Sequence, residues 1–170
     1  MAKTLLLLRH AKSDWDAQFG RDHDRPLAPR GRRAAREVGV LLRRLDLVPD
    51  SVLSSTAVRA RTTVEIAAAE GAWDCPLRLS ERLYDSSAVV VLTEIAAEPE
   101  STGTLLVAGH EPVCSALLSQ LIGGGAIRFP TAALACVVPY GETWRELPRA
   151  GAELQWLLPA RLLAKLLAGS

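Results

Sequence analysis

Leu5 to Leu8 form an unbroken apolar run that stops at Arg9 and His10. With Lys3 and Thr4 leading in, residues 3–9 read as a strand buried on both faces, as in the middle of a parallel sheet. Residues 11–28 lose that pattern and carry Asp14, Asp16, Gly20, Asp22, His23, Asp24 and Pro26. This is a long loop, and loops of such length inside a compact domain usually carry function. Pro29 then suits the first turn of a helix. Ala35, Val38, Leu42 and Leu45 recur at helical spacing, while Arg32, Arg33, Arg36, Glu37, Arg43 and Arg44 take the other faces. That basic face is either a binding patch or an ordinary solvated surface.

Further on, residues 51–54 suggest a short strand, followed by a helix capped by Ser55 or Thr56 and running through Ala69 to Gly71. A weak strand at 76–79, a loop at 83–87 and a helix at 88–97 lead to a second apolar run at 104–108. This run also ends in a special group, Gly109-His110-Glu111-Pro112. Pro112 opens a helix that reaches Leu121 before three glycines. Residues 132–139, 143–147 and 153–157 read as strands, the last two joined by a Pro-Arg-Ala-Gly turn, and Pro159 starts a closing helix. Strands alternating with helices predict a three-layer α/β/α sandwich around a mostly parallel sheet, with residues 1–170 as one domain.

Composition narrows the function classes. The net charge of +1 offers no broad field for nucleic acid or a membrane surface. Cys75, Cys114 and Cys136 have no metal-binding spacing and read as free thiols of a cytoplasmic protein. The leucine run is too short for a membrane span or the core of a signal peptide.

In open α/β sheets, ligands sit beyond the carboxyl ends of the strands. Arg9 and His10, Arg59, and His110 all fall at such ends, and would converge if their strands are neighbours. Two guanidinium forks and helix N-termini suit a phosphoryl group, and an imidazole among them can attack phosphorus. As a cation in the first turn of a helix, Arg59 opposes the dipole and calls for a compensating anion. Arg61 reads as a surface charge. Asp22, His23 and Asp24 could hold a metal, but adjacent loop residues rarely converge, so His23 reads as structural.

Leu8-Arg9-His10-Ala11 resembles the Arg-His-Gly signature of the histidine phosphatase (phosphoglycerate-mutase-like) superfamily. Arg25-Pro26-Leu27 with Arg30-Gly31, then Ser54 to Thr63, then Gly109-His110-Glu111-Pro112 continue its pattern in order. Thr131 to Ala135 and Trp156 to Pro159 are similar to its SixA-type branch of phosphohistidine phosphatases. The resemblance implies a phosphoglycerate-mutase-like fold and hydrolysis through a phosphorylated His10. It makes Arg9, Arg59 and His110 the holders of the phosphoryl oxygens and Arg25 a further phosphate contact, with no metal or other cofactor. Glu81 and Asp22 are rival proton donors. Ala11 stands where the family has glycine, leaving less room beside His10. A protein phosphohistidine is the expected substrate, a small phosphorylated metabolite the alternative, and a non-catalytic phosphate-binding module a third reading. The expected partners include neither nucleic acid nor membrane, and a monomer is favoured.

Overall fold

A computed structural model describes residues 3–169. Its centre is a six-stranded sheet built from β1 (Thr4–Arg9), β2 (Ser51–Ser55), β3 (Leu77–Ser80), β4 (Thr104–Gly109), β5 (Leu134–Pro139) and β6 (Ala152–Leu158). The strand order is β3-β2-β4-β1-β5-β6, and only β5 runs against its neighbours. The apolar runs of β1 and β4 lie side by side at the centre, Leu5 opposite Leu105 and Arg9 opposite Gly109.

Six helices cover the two faces: α1 (Pro29–Arg44), α2 (Val58–Gly71), α3 (Ala88–Ala96), α4 (Val113–Leu121), α5 (Leu147–Ala150) and α6 (Ala160–Ala168). The alternation of strand side chains divides the core accordingly. Leu5, Leu7, Leu53, Leu105 and Val107 pack with α3, α4 and α5. Leu6, Leu8, Val52 and Leu106 pack with α1, α2 and α6. The three-layer α/β/α architecture is therefore the one expected.

Several expectations need correction. Residues 143–147 are not a strand: the Glu146 carboxylate accepts the amides of Glu142 and Thr143 at 2.9 and 3.0 Å, forming a turn that leads into α5. Trp144 is then driven into the core, its indole N–H donating to the Thr102 carbonyl at 2.9 Å. The supposed turn at 148–151 is mostly α5 itself, closed by Gly151 at φ 76. At the start of α2 the cap is Ala57, not Ser55 or Thr56. α1 ends at Arg44, leaving Leu45 as its exposed C-cap instead of a core position. Among the described residues, no helix is long and apolar enough to cross a membrane.

Candidate active site

Because β1, β4 and β2 are neighbours, the three strand ends singled out in the sequence fall on one edge of the sheet. The His10 amide donates to the Gly109 carbonyl at 3.0 Å, locking the first strand end to the third. The rings of His10 and His110 then lie 5.1 Å apart, and both are buried.

The two imidazoles are held differently. His10 Nδ1 is 2.8 Å from the Ala11 carbonyl oxygen. A carbonyl can only accept, so the proton is on Nδ1 and the lone pair on Nε2. The Ala11 amide donates to Thr63 Oγ1 at 3.0 Å, and that hydroxyl donates to the Arg59 carbonyl at 2.6 Å, so α2 braces the same residue. The Ala11 methyl packs with Leu27, Ala35 and Ala132. The alanine in the glycine position thus fills a small apolar cluster. His110 Nε2 shares a 2.8 Å hydrogen bond with Ser55 Oγ, while Nδ1 is buried without a partner.

Burial pushes the His10 pKa down to about 3; the bond to Ala11 resists, while His110, Arg59 and Arg9 push the same way. Burial, then Arg59, pushes His110 down to about 4 against the opposing field of Asp22. Both rings are neutral at pH 7.

Arg9 is anchored through Nη1 to the Phe129 carbonyl at 2.9 Å. Arg59 reaches Asp22 twice, Nη1 to its carbonyl at 2.7 Å and Nη2 to Oδ2 at 3.0 Å. Among the described residues, four buried side-chain N or O atoms lack a hydrogen-bond partner, and three of them are Arg9 Nε, Arg59 Nε and His110 Nδ1. Unsatisfied buried groups are costly and rare. Their concentration around His10 suits an anion.

Asp22 supplies the anion that Arg59 was expected to need at the start of α2. It also accepts from Arg25 Nε and Nη2 at 3.1 and 2.7 Å and from the Tyr84 hydroxyl at 3.2 Å. Partial burial raises the pKa of Asp22, but the Arg25 hydrogen bond and the Arg59 and Arg25 charges outweigh it and hold the group below the usual carboxylate range. An ionised Asp22 is poorly suited to donate a proton. Arg25 has its remaining nitrogen on the Ser13 hydroxyl and its guanidinium 3.6 Å from the Trp15 ring centre, so each of its nitrogens has a partner within the protein.

Glu81 begins a one-turn 3-10 helix and lines a cleft of about 430 Å³ with Arg21, His23, Thr56 and Tyr84. His23 joins Thr56 Oγ1 at 3.0 Å to Asp24 at 3.1 Å. The Asp22 carboxylate turns away from this pair to Arg25 and Arg59, and among the described residues no three His, Cys, Asp or Glu side chains are placed to hold a metal ion. Arg61 pairs with Glu65 one turn along α2, as a surface charge would.

Three contributors escaped the sequence reading. Ser55 and Thr63 had a signal, being polar at buried positions near Arg59. Tyr84 had none: only the fold sets its ring edge-on to both His23 and His110, at 5.0 and 5.6 Å.

The profile of the Histidine phosphatase superfamily (branch 1) matches residues 5–90. An uncharacterized protein of Mycobacterium tuberculosis is 41% identical over 150 residues, 82% of this chain and 91% of that protein. The solved structure provisionally assigned as phosphohistidine phosphatase SixA of Nakamurella multipartitia is 33% identical, with a TM-score of 0.83 over 94% of this chain and 96% of that one. Its counterpart from Agrobacterium tumefaciens is 27% identical, with a TM-score of 0.78 over 94% and 99% of the two chains. The chain therefore belongs to the histidine phosphatase superfamily, branch 1, and its likeness within that family is to the SixA type.

Proposed function

We propose that this protein is a single-domain phosphatase that removes the phosphoryl group from phosphohistidine on a protein, through a phosphorylated His10. His10 Nε2 attacks phosphorus and forms a P–N bond while the bond to the leaving imidazole breaks. The electron pair of that bond stays on the departing nitrogen, and the imidazole leaves as a neutral ring that keeps the proton on its other nitrogen. Water then attacks the phosphorylated His10, its proton passing to the phosphate, and inorganic phosphate is released with Nε2 restored. Arg9, Arg59 and His110 hold the phosphoryl oxygens and stabilise the charge that spreads over them in the transition state. Positive side chains supply this charge, so the proposed reaction draws on no metal.

The observation that carries the reading is the tautomer of His10: the hydrogen bond to Ala11 fixes a neutral ring whose free lone pair is on Nε2, beside His110 and two arginines. Arg25 enters as a positioning residue, since it holds Asp22, which in turn holds Arg59. The chemistry of the leaving group favours phosphohistidine: an imidazole leaves with a conjugate-acid pKa of about 6.5, so it departs without help from a strong acid. The test is hydrolysis of p-nitrophenyl phosphate and a phosphohistidine peptide without added metal, with acid-labile phosphate trapped on His10. Loss of both activities in His10→Ala is expected; turnover that survives this substitution rejects the mechanism.

A further inference from the structure

Four basic side chains gather along one groove beside the site. Lys12 lies two residues past His10, Arg30 and Arg33 project from the first turns of α1, and Arg161 from the first turn of α6. The groove between these helices has a volume of about 550 Å³, and small residues make up most of its remaining wall. α1 follows β1, and α6 follows β6, which runs parallel to β1. Both helices therefore start on the sheet edge that carries His10.

Several arginines are neutralised within the chain, and the four groove cations are not among them. Arg21, Arg25, Arg59, Arg61, Arg78 and Arg82 each meet a carboxylate. Among the ion pairs of the described residues, none involves Lys12, Arg30, Arg33 or Arg161. The groove's one acid is Glu37, a turn beyond Arg33 and under its field. With 20 Lys and Arg against 19 Asp and Glu in the whole chain, the excess in the groove is local. Neither α1 nor α6 has an acidic first turn or a side-chain cap, so their free N–H groups add positive potential at the same edge.

We propose that this groove docks an acidic segment of the protein that presents phosphohistidine to His10. The proposal rests on the phosphatase reading and adds how the protein substrate is chosen. The cations come from two helices and a loop along an open groove with room for several side chains. That spread suits a run of carboxylates better than one small anion. Charge complementarity of this kind acts on encounter and specificity.

The test uses two phosphohistidine peptides, identical except for a flank of glutamates in one and glutamines in the other. At low salt the wild type is expected to have a kcat/KM about tenfold higher on the acidic peptide, expressed in KM. At about 0.5 M salt, where the screening length shrinks to about 4 Å, the preference should vanish. The triple variant Arg30→Gln, Arg33→Gln, Arg161→Gln should treat both peptides alike while hydrolysing p-nitrophenyl phosphate at the wild-type rate. Equal kcat/KM of the wild type on the two peptides, or an unchanged preference in the variant, overturns the docking. Sedimentation with phosphatidylserine vesicles in place of any peptide preference would overturn it too, assigning the groove to lipid. Failure to turn over either peptide or p-nitrophenyl phosphate would instead remove the phosphatase reading, and the docking with it.

Discussion

Arg59 stands in the first turn of α2, where a cation works against the helix dipole, and the fold offsets it with the carboxylate of Asp22. A phosphoryl group would meet the same guanidinium as a preorganised donor. Arg59→Ala should lower turnover by roughly two to three decades, the usual loss for such a donor, as read in kcat on p-nitrophenyl phosphate. Near-normal turnover would take Arg59 out of the site. Glu81 poses the opposite question, because its cleft adjoins the site but its carboxylate makes none of the ion pairs described. An alcohol, with a pKa near the roughly 15 of water, needs a proton as it leaves, whereas imidazole does not. Glu81→Gln is therefore expected to slow an alkyl phosphate at least tenfold and a phosphohistidine peptide hardly at all; equal losses would reject the leaving-group account. At this scale the sequence was informative about position: an arginine or histidine closing an apolar run marks a strand end. It was blind to pairing. Nothing in the spacing of Asp22, Arg25 and Arg59 says that one carboxylate would bridge both guanidiniums, since the loop path that joins them is set by tertiary contacts.

The elements that were legible are those with a strong period. The leucine run of β1 and the helical spacing of α1 needed no knowledge of their neighbours, because burial on both faces or on one stripe is written into the residues themselves. Residues 143–147 misled because Thr143 and Trp144 are residue types that strands favour, while the turn made by Glu146 wins locally. Close approach was also hidden. A Cβ on Gly39 would sit 2.1 Å from the Ala67 carbonyl oxygen, so α1 lies against α2 only because this position lacks a side chain. Gly39→Ala should destabilise the fold by about 2 kcal/mol, overpacking outweighing the gain in helix propensity. It should also reduce turnover, since α2 carries both Arg59 and the brace Thr63. Urea unfolding checks this against Gly20→Ala, whose added methyl meets nothing within 4 Å and should leave the midpoint unchanged.

The molecule as a whole carries the cost of burying two imidazoles among arginines. With folded pKa values of about 3 for His10 and about 4 for His110, the native protein keeps both rings neutral at pH 5, whereas the unfolded chain protonates them near the ordinary histidine value of 6.5. Between those limits the unfolded state binds more protons, so stability rises with pH. It is fully present above about pH 6.5 and is lost as the pH falls toward the folded values. Each ring can contribute up to about 1.4 kcal/mol per pH unit, giving a loss of about 4 kcal/mol between pH 7 and pH 5 for the pair. The depressed carboxyls of Asp22 and Asp24 act in the same direction only at lower pH, and the carboxyl of Glu37, raised by burial, works against the two histidines. Urea midpoints measured at pH 7 and pH 5 should fall accordingly, and His110→Gln should remove about half of the drop. Inorganic phosphate should reduce it further, because a bound anion favours imidazolium and lifts both folded pKa values. A midpoint unchanged between pH 7 and pH 5 would mean that these rings are not held neutral among the cations, and the lone pair on His10 would no longer be secured for attack.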